Sequence, residues 1–105
     1  MTARQRLRDR RQSETFELEV AGLRYAATVS RFADGRIGEV FLNNHKSNSA
    51  ADVAARDSAI VFSIAVQHGA DPEVIRRALC RNANGQASEP LGAALDAIAK
   101  QEPKR

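Results

Sequence analysis

The stretch from Gly38 to Asp96, GEVFLNNHKSNSAADVAARDSAIVFSIAVQHGADPEVIRRALCRNANGQASEPLGAALD, decides the fold of this chain. Its first part, Glu39–Leu42, has the apolar residues of a strand, and a polar loop, residues 43–48, leads into a long helical period. Asp71-Pro72 predicts the start of a second helix, because Asp is a common N-cap and Pro suits the first helical position. Ser88, two residues before a proline, predicts the start of a third helix in the same way.

Two alternating segments precede this stretch and predict two more strands. Residues 16–20 alternate apolar residues with glutamates, and after a turn at Ala21-Gly22 the segment 23–30 alternates in the same way. Asp34-Gly35 predicts a type I′ turn, which needs a positive φ at both residues, and Gly38 predicts a bulge or a close backbone approach. The sequence thus predicts an α+β fold: a three-stranded antiparallel β-meander followed by two to three helices packed on one face.

The long helix is predicted to begin after Ser49 as its N-cap and to end before Gly69 in a left-handed C′ position. Its core-facing stripe is predicted from the large apolar residues at helical spacing, which are Val53, Ile60 and Ile64, widened by Ala50, Ala54, Val61 and Ala65. The polar residues expected to face water on the same helix are Arg56, Asp57 and Gln67.

Length and composition indicate one globular domain. The chain has 105 residues, of which 43% are hydrophobic and 28% charged. It contains no run of about eighteen apolar residues, so we expect no membrane span. The N-terminus has no apolar signal region, and the single cysteine, Cys80, excludes an internal disulfide. We therefore expect a cytoplasmic protein that does not bind a membrane.

The net charge of +3 is concentrated at the N-terminus. We predict a flexible arginine-rich arm over residues 1–12, a single domain over residues 13–100 and a polar tail over residues 101–105. The candidate nucleic-acid-binding residues of the arm are Arg4, Arg6, Arg8, Arg10 and Arg11. Their guanidinium groups could neutralise phosphates in a sequence-independent way, but the arm has no aromatic residue to stack on bases. A solubilising tail is the alternative interpretation.

Three segments carry a resemblance to a known family: Gly38–Phe41, Ser63–Ala65 and Gln67–Ile75. They resemble the strand, the long helix and the helix connection of the TSCPD domain. This family comprises a small module at the C-terminal end of adenosylcobalamin-dependent ribonucleotide reductases and free-standing relatives of that module. The resemblance implies a single TSCPD-like domain over residues 13–100. It also implies a non-enzymatic binding or accessory function.

The chain departs from the family pattern at two places. The loop between the third strand and the long helix is usually rich in glycine, whereas residues 43–48 contain none. The motif that names the family contains Ser-Cys-Pro-Asp, whereas this chain has Ser88-Glu89-Pro90-Leu91. A thiol or metal role of the missing cysteine therefore cannot be transferred, and we expect neither a bound cofactor nor a cobalamin site.

The strand-to-helix loop is the main candidate for a ligand site. Its residues are His45, Lys46, Ser47, Asn48 and Ser49. Unpaired N–H groups at a helix N-terminus favour an anion, and the Lys46 ammonium adds positive charge, so a nucleotide or another anion is a candidate ligand. The alternative is an ordinary helix cap in a solvated loop, because Ser and Asn are common cap residues. No Walker A sequence is present.

The sequence predicts neither a catalytic nor a metal site. A zinc site needs three or four ligands at suitable spacing, but His45, His68 and Cys80 are scattered. Cys80 is expected to be a buried small hydrophobe or an unreactive thiol. Catalysis by Cys80, activated by nearby arginines, is a third hypothesis, although no base is identifiable.

The fold implies a binding partner that is either another protein or a second copy of the chain. A three-stranded sheet with an exposed edge can pair with another strand. The hypothesis is therefore a non-enzymatic binding module that contacts a protein partner or forms a homo-oligomer, and that binds a nucleotide or other anion at the strand-to-helix loop. The alternative is a nucleic-acid-associated protein that uses the arginine arm.

Overall fold

The computed structural model describes residues 3–7 and 13–101. Its elements in chain order are β1 (Ser13–Val20), β2 (Leu23–Arg31), β3 (Ile37–Asn44), α1 (Ala50–Gln67), α2 (Pro72–Ala78) and α3 (Pro90–Gln101). The strands form one antiparallel sheet in the order β1-β2-β3, and the helices follow it. The predicted α+β fold, a three-stranded meander followed by helices, is confirmed.

The core lies between one face of the sheet and the helices. Its largest fully buried side chains are Val29, Val40, Leu42 and Ile98. The strand residues among them follow the period of two that the sequence predicts, because successive side chains of a strand point to opposite faces. In α3 the buried residues are Pro90, Leu91, Gly92, Ala94, Leu95 and Ile98.

Of the two hairpin turns, the first lies at Ala21-Gly22 as predicted, and the second differs from the prediction. Both Ala21 (φ 53°) and Gly22 (φ 77°) have the positive φ values that a two-residue hairpin loop requires. At Asp34-Gly35 only the glycine has a positive φ, of 91°, so the predicted type I′ turn is wrong. The Asp34 carboxylate accepts hydrogen bonds from the backbone N (3.1 Å) and Nε (2.7 Å) of Arg36, which fixes a turn at this point.

Gly38 marks both a bulge and a close approach, as predicted. Ser30 pairs with Glu39, but the next residue, Arg31, pairs with Ile37, so Gly38 has no partner in the register. A Cβ atom on Gly38 would lie 2.5 Å from Cδ2 of Leu7 and 3.2 Å from two ring atoms of Phe32, so a side chain at this position would require these neighbours to shift.

The orientation of α1 contradicts the sequence-based prediction. The predicted core stripe is exposed, with exposed fractions of 46% for Val53, 50% for Ile60 and 42% for Ile64. Gln67, predicted to face water, is only 4% exposed. The buried residues of the helix are Asp52, Ala55, Ala59, Phe62, Ser63, Val66 and Gln67.

The free edge of β3 explains this orientation. An edge strand directs the N–H and C=O groups of alternate residues away from its neighbour, and buried groups of this kind need partners. The Ser63 hydroxyl accepts a hydrogen bond from the Val40 N–H (2.9 Å) and donates one to the Val40 carbonyl (3.1 Å). The Gln67 amide donates to the Gly38 carbonyl (2.8 Å). Ser63 and Gln67 of α1 therefore face the strand, and the aliphatic residues of the predicted stripe face solvent.

Candidate functional site

Local hydrogen bonds shape the strand-to-helix loop. The Asn44 side chain accepts a hydrogen bond from the Lys46 N–H (2.9 Å) and donates one to the Arg24 carbonyl (3.2 Å). Asn48 has a φ of 60°, in the left-handed region that asparagine tolerates better than most residues. Asparagine thus takes the place of glycine in this loop. The side chains of residues 45–48 are exposed, and that of Ser49 is half-buried.

An internal carboxylate occupies the helix N-terminus at this loop. Asp52, only 3% exposed, accepts hydrogen bonds from the backbone N–H groups of Asn44 (2.8 Å) and Asn48 (2.9 Å). These two bonds, with a smaller contribution from the nearby Arg56 guanidinium, lower the pKa of Asp52. The Ser49 hydroxyl accepts from the Asp52 N–H (3.1 Å), which confirms Ser49 as the N-cap.

The position of the Asp52 carboxylate disfavours an anion at the helix N-terminus. The Asp52 carboxylate already accepts hydrogen bonds from two N–H groups of this loop, and its negative charge beside the helix N-terminus repels a second anion. The Lys46 side chain is exposed and supplies positive charge beside it. Binding of a nucleotide or another anion by the five loop residues remains a prediction.

Part of the arginine arm lies against the domain. The Gln5 N–H donates to the Gln67 carbonyl (2.6 Å), the Gln5 amide oxygen accepts from Arg36 (2.9 Å), and the Arg4 guanidinium donates to the Gln67 side chain. Arg6 is exposed. The other three arginines predicted to bind nucleic acid, Arg8, Arg10 and Arg11, lie outside the described residues. Flexibility of the arm and its binding to nucleic acid remain predictions.

Cys80 lies in a groove of about 530 Å³ between the β1–β2 turn, α1 and the start of α3. Its side chain is exposed, so the prediction of a buried residue is wrong. Small alanines of α1 form much of the groove wall, including Ala51 and Ala54. Burial, followed by the negative charge of Glu89, raises the pKa of Tyr25, which also lines this groove. No histidine is among the described residues that line it.

The arginines near Cys80 interact with carboxylates. Asp96 accepts hydrogen bonds from both terminal nitrogens of Arg81 (2.7 and 2.8 Å) and from Arg76 (3.0 Å). Arg76 also pairs with Glu73 (2.9 Å). These contacts, with that of Arg81 the largest, lower the pKa of Asp96 to about 2. The cluster joins α2, α3 and the segment between them, and sequence reasoning missed it because Asp96 lies 15 residues after Arg81 and 20 residues after Arg76.

The outer face of α1 carries an apolar surface that we call the α1 stripe, defined as Val53, Ile60, Val61 and Ile64. Val61 has an exposed fraction of 68%. The only charged residues between Val53 and Ile60 in sequence are Arg56 and Asp57. Contiguous exposed apolar surface of this kind commonly marks an interaction site.

In residues 3–7 and 13–101 no group of three or more His, Cys, Asp or Glu side chains is placed to hold a metal ion. None of the helices in these ranges has the length and hydropathy needed to cross a membrane.

The fold and the site define the class: a small α+β domain with an internally bonded strand-to-helix loop and an exposed apolar helix face. No protein-family model matches the chain, and no solved structure matches it. Similarity is found to vitamin B12-dependent ribonucleotide reductases. The chain is 36% identical over 66 residues to that of Agrobacterium fabrum and 38% identical over 72 residues to that of Rhodopirellula baltica.

These matches cover 63% and 69% of this chain but only 5% and 7% of the two reductases. The reductase of Bradyrhizobium diazoefficiens gives a similar result, with 32% identity over 69 residues and 6% of its length covered. The chain thus spans a small fraction of the length of these curated relatives. It is a domain related to a segment of vitamin B12-dependent ribonucleotide reductases, which confirms this part of the predicted resemblance.

Proposed function

We propose that this protein is a non-catalytic binding module of the TSCPD type, with an accessory function that it performs by contacting a protein partner. One observation carries the proposal: the α1 stripe is exposed on a helix whose opposite face is fully engaged with β3 and the core. Exposure of several large aliphatic side chains on one face is unfavourable in water unless another surface covers them.

The similarity to reductases supports an accessory function. The related segment is a small part of a much longer reductase, and this chain lacks a recognisable catalytic group among its described residues. The departure at Glu89 removes the thiol that the family motif would place there. A partner of the module is therefore sought first among ribonucleotide reductases that depend on vitamin B12.

Anion binding at the strand-to-helix loop is the second part of the proposal. Lys46 is the cationic group of the loop and is exposed, whereas Asp52 opposes a second negative charge. The anion would therefore contact the outer side of the loop. A nucleoside triphosphate suits this position better than inorganic phosphate, because its base and ribose add contacts beyond the charged groups.

Two measurements test the proposal. Isothermal titration of the full chain into a vitamin B12-dependent ribonucleotide reductase should show binding that Ile60→Ser weakens and Val74→Ser leaves unchanged, since Val74 is 65% exposed but lies on α2. Thermal unfolding with nucleoside triphosphates should show stabilisation of about 1.4 kcal/mol at roughly ten times the dissociation constant.

Lys46→Ala should remove the nucleotide effect, whereas Lys100→Ala, which changes an exposed lysine at the far end of α3, should not. Absence of both reductase binding and nucleotide stabilisation would contradict the proposed function.

A further inference from the structure

We infer that the α1 stripe is the interface of a symmetric homodimer, in which α1 of one copy packs antiparallel against α1 of a second copy. This inference rests on one part of the proposed function, the assignment of the α1 stripe as a protein-binding surface. It commits to a second copy of the chain as the occupant of the stripe, so a reductase that binds the stripe would compete with the second copy. Three features of the helix carry it: the spacing of the stripe, the position of one carboxylate within it, and the charge beside that carboxylate.

The spacing fits helix pairing. Val53, Asp57, Ile60 and Ile64 follow one another at intervals of four, three and four residues, which is the seam spacing of paired helices. The three aliphatic residues of this seam are each 42–50% exposed, and none of them belongs to the hydrophobic core of its own copy. The seam extends over most of the length of the 18-residue helix.

The four seam residues of one copy can pair with the same four residues of a second copy that runs antiparallel. When two copies of α1 lie antiparallel about a two-fold axis, Val53 can lie opposite Ile64 of the second copy while Asp57 lies opposite Ile60. All four positions are then used at once, in both copies. A symmetric contact of this kind closes on itself and yields a dimer with no further growth.

The carboxylate identifies the occupant. Asp57 lies in the seam and has no ion-pair partner among the described residues, so a purely apolar partner or a lipid surface would leave a charge poorly solvated. A second copy supplies the opposite charge: Arg56 lies about 6 Å, measured along the helix axis, from the level of Asp57 of the second copy. An arginine side chain is long enough to cover this axial offset.

Arg56 is available for this contact. Its side chain is 51% exposed, and its ion pair with Asp52 of the same helix is long, with 3.7 Å between Nη1 of Arg56 and Oδ2 of Asp52. Because each copy contributes one Arg56 and one Asp57, the dimer gains two matched pairs. A polar pair within an apolar seam fixes the direction and register of pairing.

The interface is small. An 18-residue helix is about 27 Å long and about 10 Å across, so one helix face is well below the roughly 800 Å² per partner of a standard interface. We therefore expect a weak dimer, with a dissociation constant on the order of 100 μM.

Sedimentation velocity of the full chain, from about 5 μM to about 1 mM, tests the inference, because this range brackets the expected dissociation constant. The wild-type chain should change from monomer to dimer over this range. Ile60→Ser should raise the dissociation constant at least about tenfold, because each copy loses an aliphatic side chain from the seam. The matched control, Val74→Ser, removes a more exposed valine outside the stripe and should leave it unchanged.

A charge exchange tests the arrangement itself. Asp57→Arg should weaken association by about tenfold, because it places two arginines together across the seam. The double variant with Arg56→Asp and Asp57→Arg should restore association, because the exchanged pair is again matched across the two-fold axis. Circular dichroism confirms that each variant is folded before its association is compared.

Three results would overturn the inference: a wild-type chain that remains monomeric throughout the concentration range, a dimer that Ile60→Ser does not weaken, or a double charge exchange that fails to restore association. Pairing through the edge of β1 would give the second of these results. A monomer that still binds a reductase or a nucleotide would refute the homodimer and leave the proposed function standing. A homodimer that binds neither a reductase nor a nucleotide would refute the proposed function and leave the homodimer standing.

Discussion

Replacement of Ser63 by alanine tests the packing of α1 against the edge of β3. The Ser63 side chain is 7% exposed, and its hydroxyl serves both backbone groups of Val40. Ser63→Ala leaves these groups without their partner, and an unsatisfied buried group costs about 1–3 kcal/mol. The higher helix propensity of alanine stabilises α1 and offsets up to about 0.5 kcal/mol of this loss. We expect a net loss of about 2–3 kcal/mol in the free energy of unfolding.

For a domain of this size the loss corresponds to a fall of about 10–20 °C in melting temperature. Urea denaturation followed by circular dichroism, at about 5 μM chain so that the expected weak dimer is dissociated, gives the free energy directly. The matched variant is Ile60→Ala on the outer face of the same helix. It should change stability by only about 0.5 kcal/mol, because surface substitutions rarely do more.

The observed orientation of α1 and one in which the stripe faces the core give opposite predictions for the variants Ser63→Ala and Ile60→Ala. If the stripe faced the core, Ile60→Ala would remove a buried side chain at a cost of about 2–5 kcal/mol. Ser63→Ala would then be neutral or slightly stabilising. A larger loss for Ile60→Ala than for Ser63→Ala would refute the packing described above.

Three further predictions concern charged groups. The folded-state pKa of Asp96, about 2, lies below its ordinary value of 3.8, so its contribution is complete above about pH 4 and is lost as pH falls through 2. Because Asp96 is partly exposed, we expect urea denaturation to show that the free energy of unfolding falls by only about 1–2 kcal/mol between pH 5 and pH 2 on its account. Asp96→Asn should abolish this fall, and an unchanged pH dependence in that variant would contradict the prediction. Asp52→Asn should lower the melting temperature at pH 7 by about 4–8 °C, because an amide offers one acceptor oxygen to the N–H groups that two carboxylate oxygens now serve; no change in scanning calorimetry would count against that role. If the arm binds nucleic acid, removal of residues 1–12 should abolish a salt-sensitive mobility shift of duplex DNA, and an intact chain that gives no shift at low salt would exclude this function.

The sequence was sufficient for features that depend on neighbouring residues. Ser49 and Asp71 cap the predicted helices, and Gly69 has the predicted left-handed conformation, with a φ of 102°. Each of these positions is determined by backbone groups within a few residues. For the same reason the strands and their order could be predicted from alternation and short turns.

The orientation of α1 could not be predicted from its own residues. A helical period reveals an apolar face, and an apolar face usually packs on the core. Here the competing requirement comes from a distant strand: Ser63 bonds to a residue 23 positions earlier, and Gln67 to one 29 positions earlier. Satisfaction of a sheet edge by helix side chains has no local sequence pattern.

The candidate loop shows the same limit. Its residues and its helix cap were predictable, but the hydrogen bonds of Asp52 to Asn44, eight residues away, were not. This contact determines how the loop meets an anion, because it places a negative charge at the helix N-terminus. The sequence shows that the α1 stripe is apolar, but its helical spacing predicts that the stripe packs on the core.

The most direct test of the account is an NMR dilution series on the full chain, with backbone amide shifts recorded from about 20 μM to about 1 mM. Because the α1 stripe is the binding surface in this account, the shifts that change with concentration should lie along the outer face of α1, around Val53, Ile60 and Ile64. Changes confined to the edge of β1 (Ser13–Val20), or no change at any concentration, would contradict association through the α1 stripe.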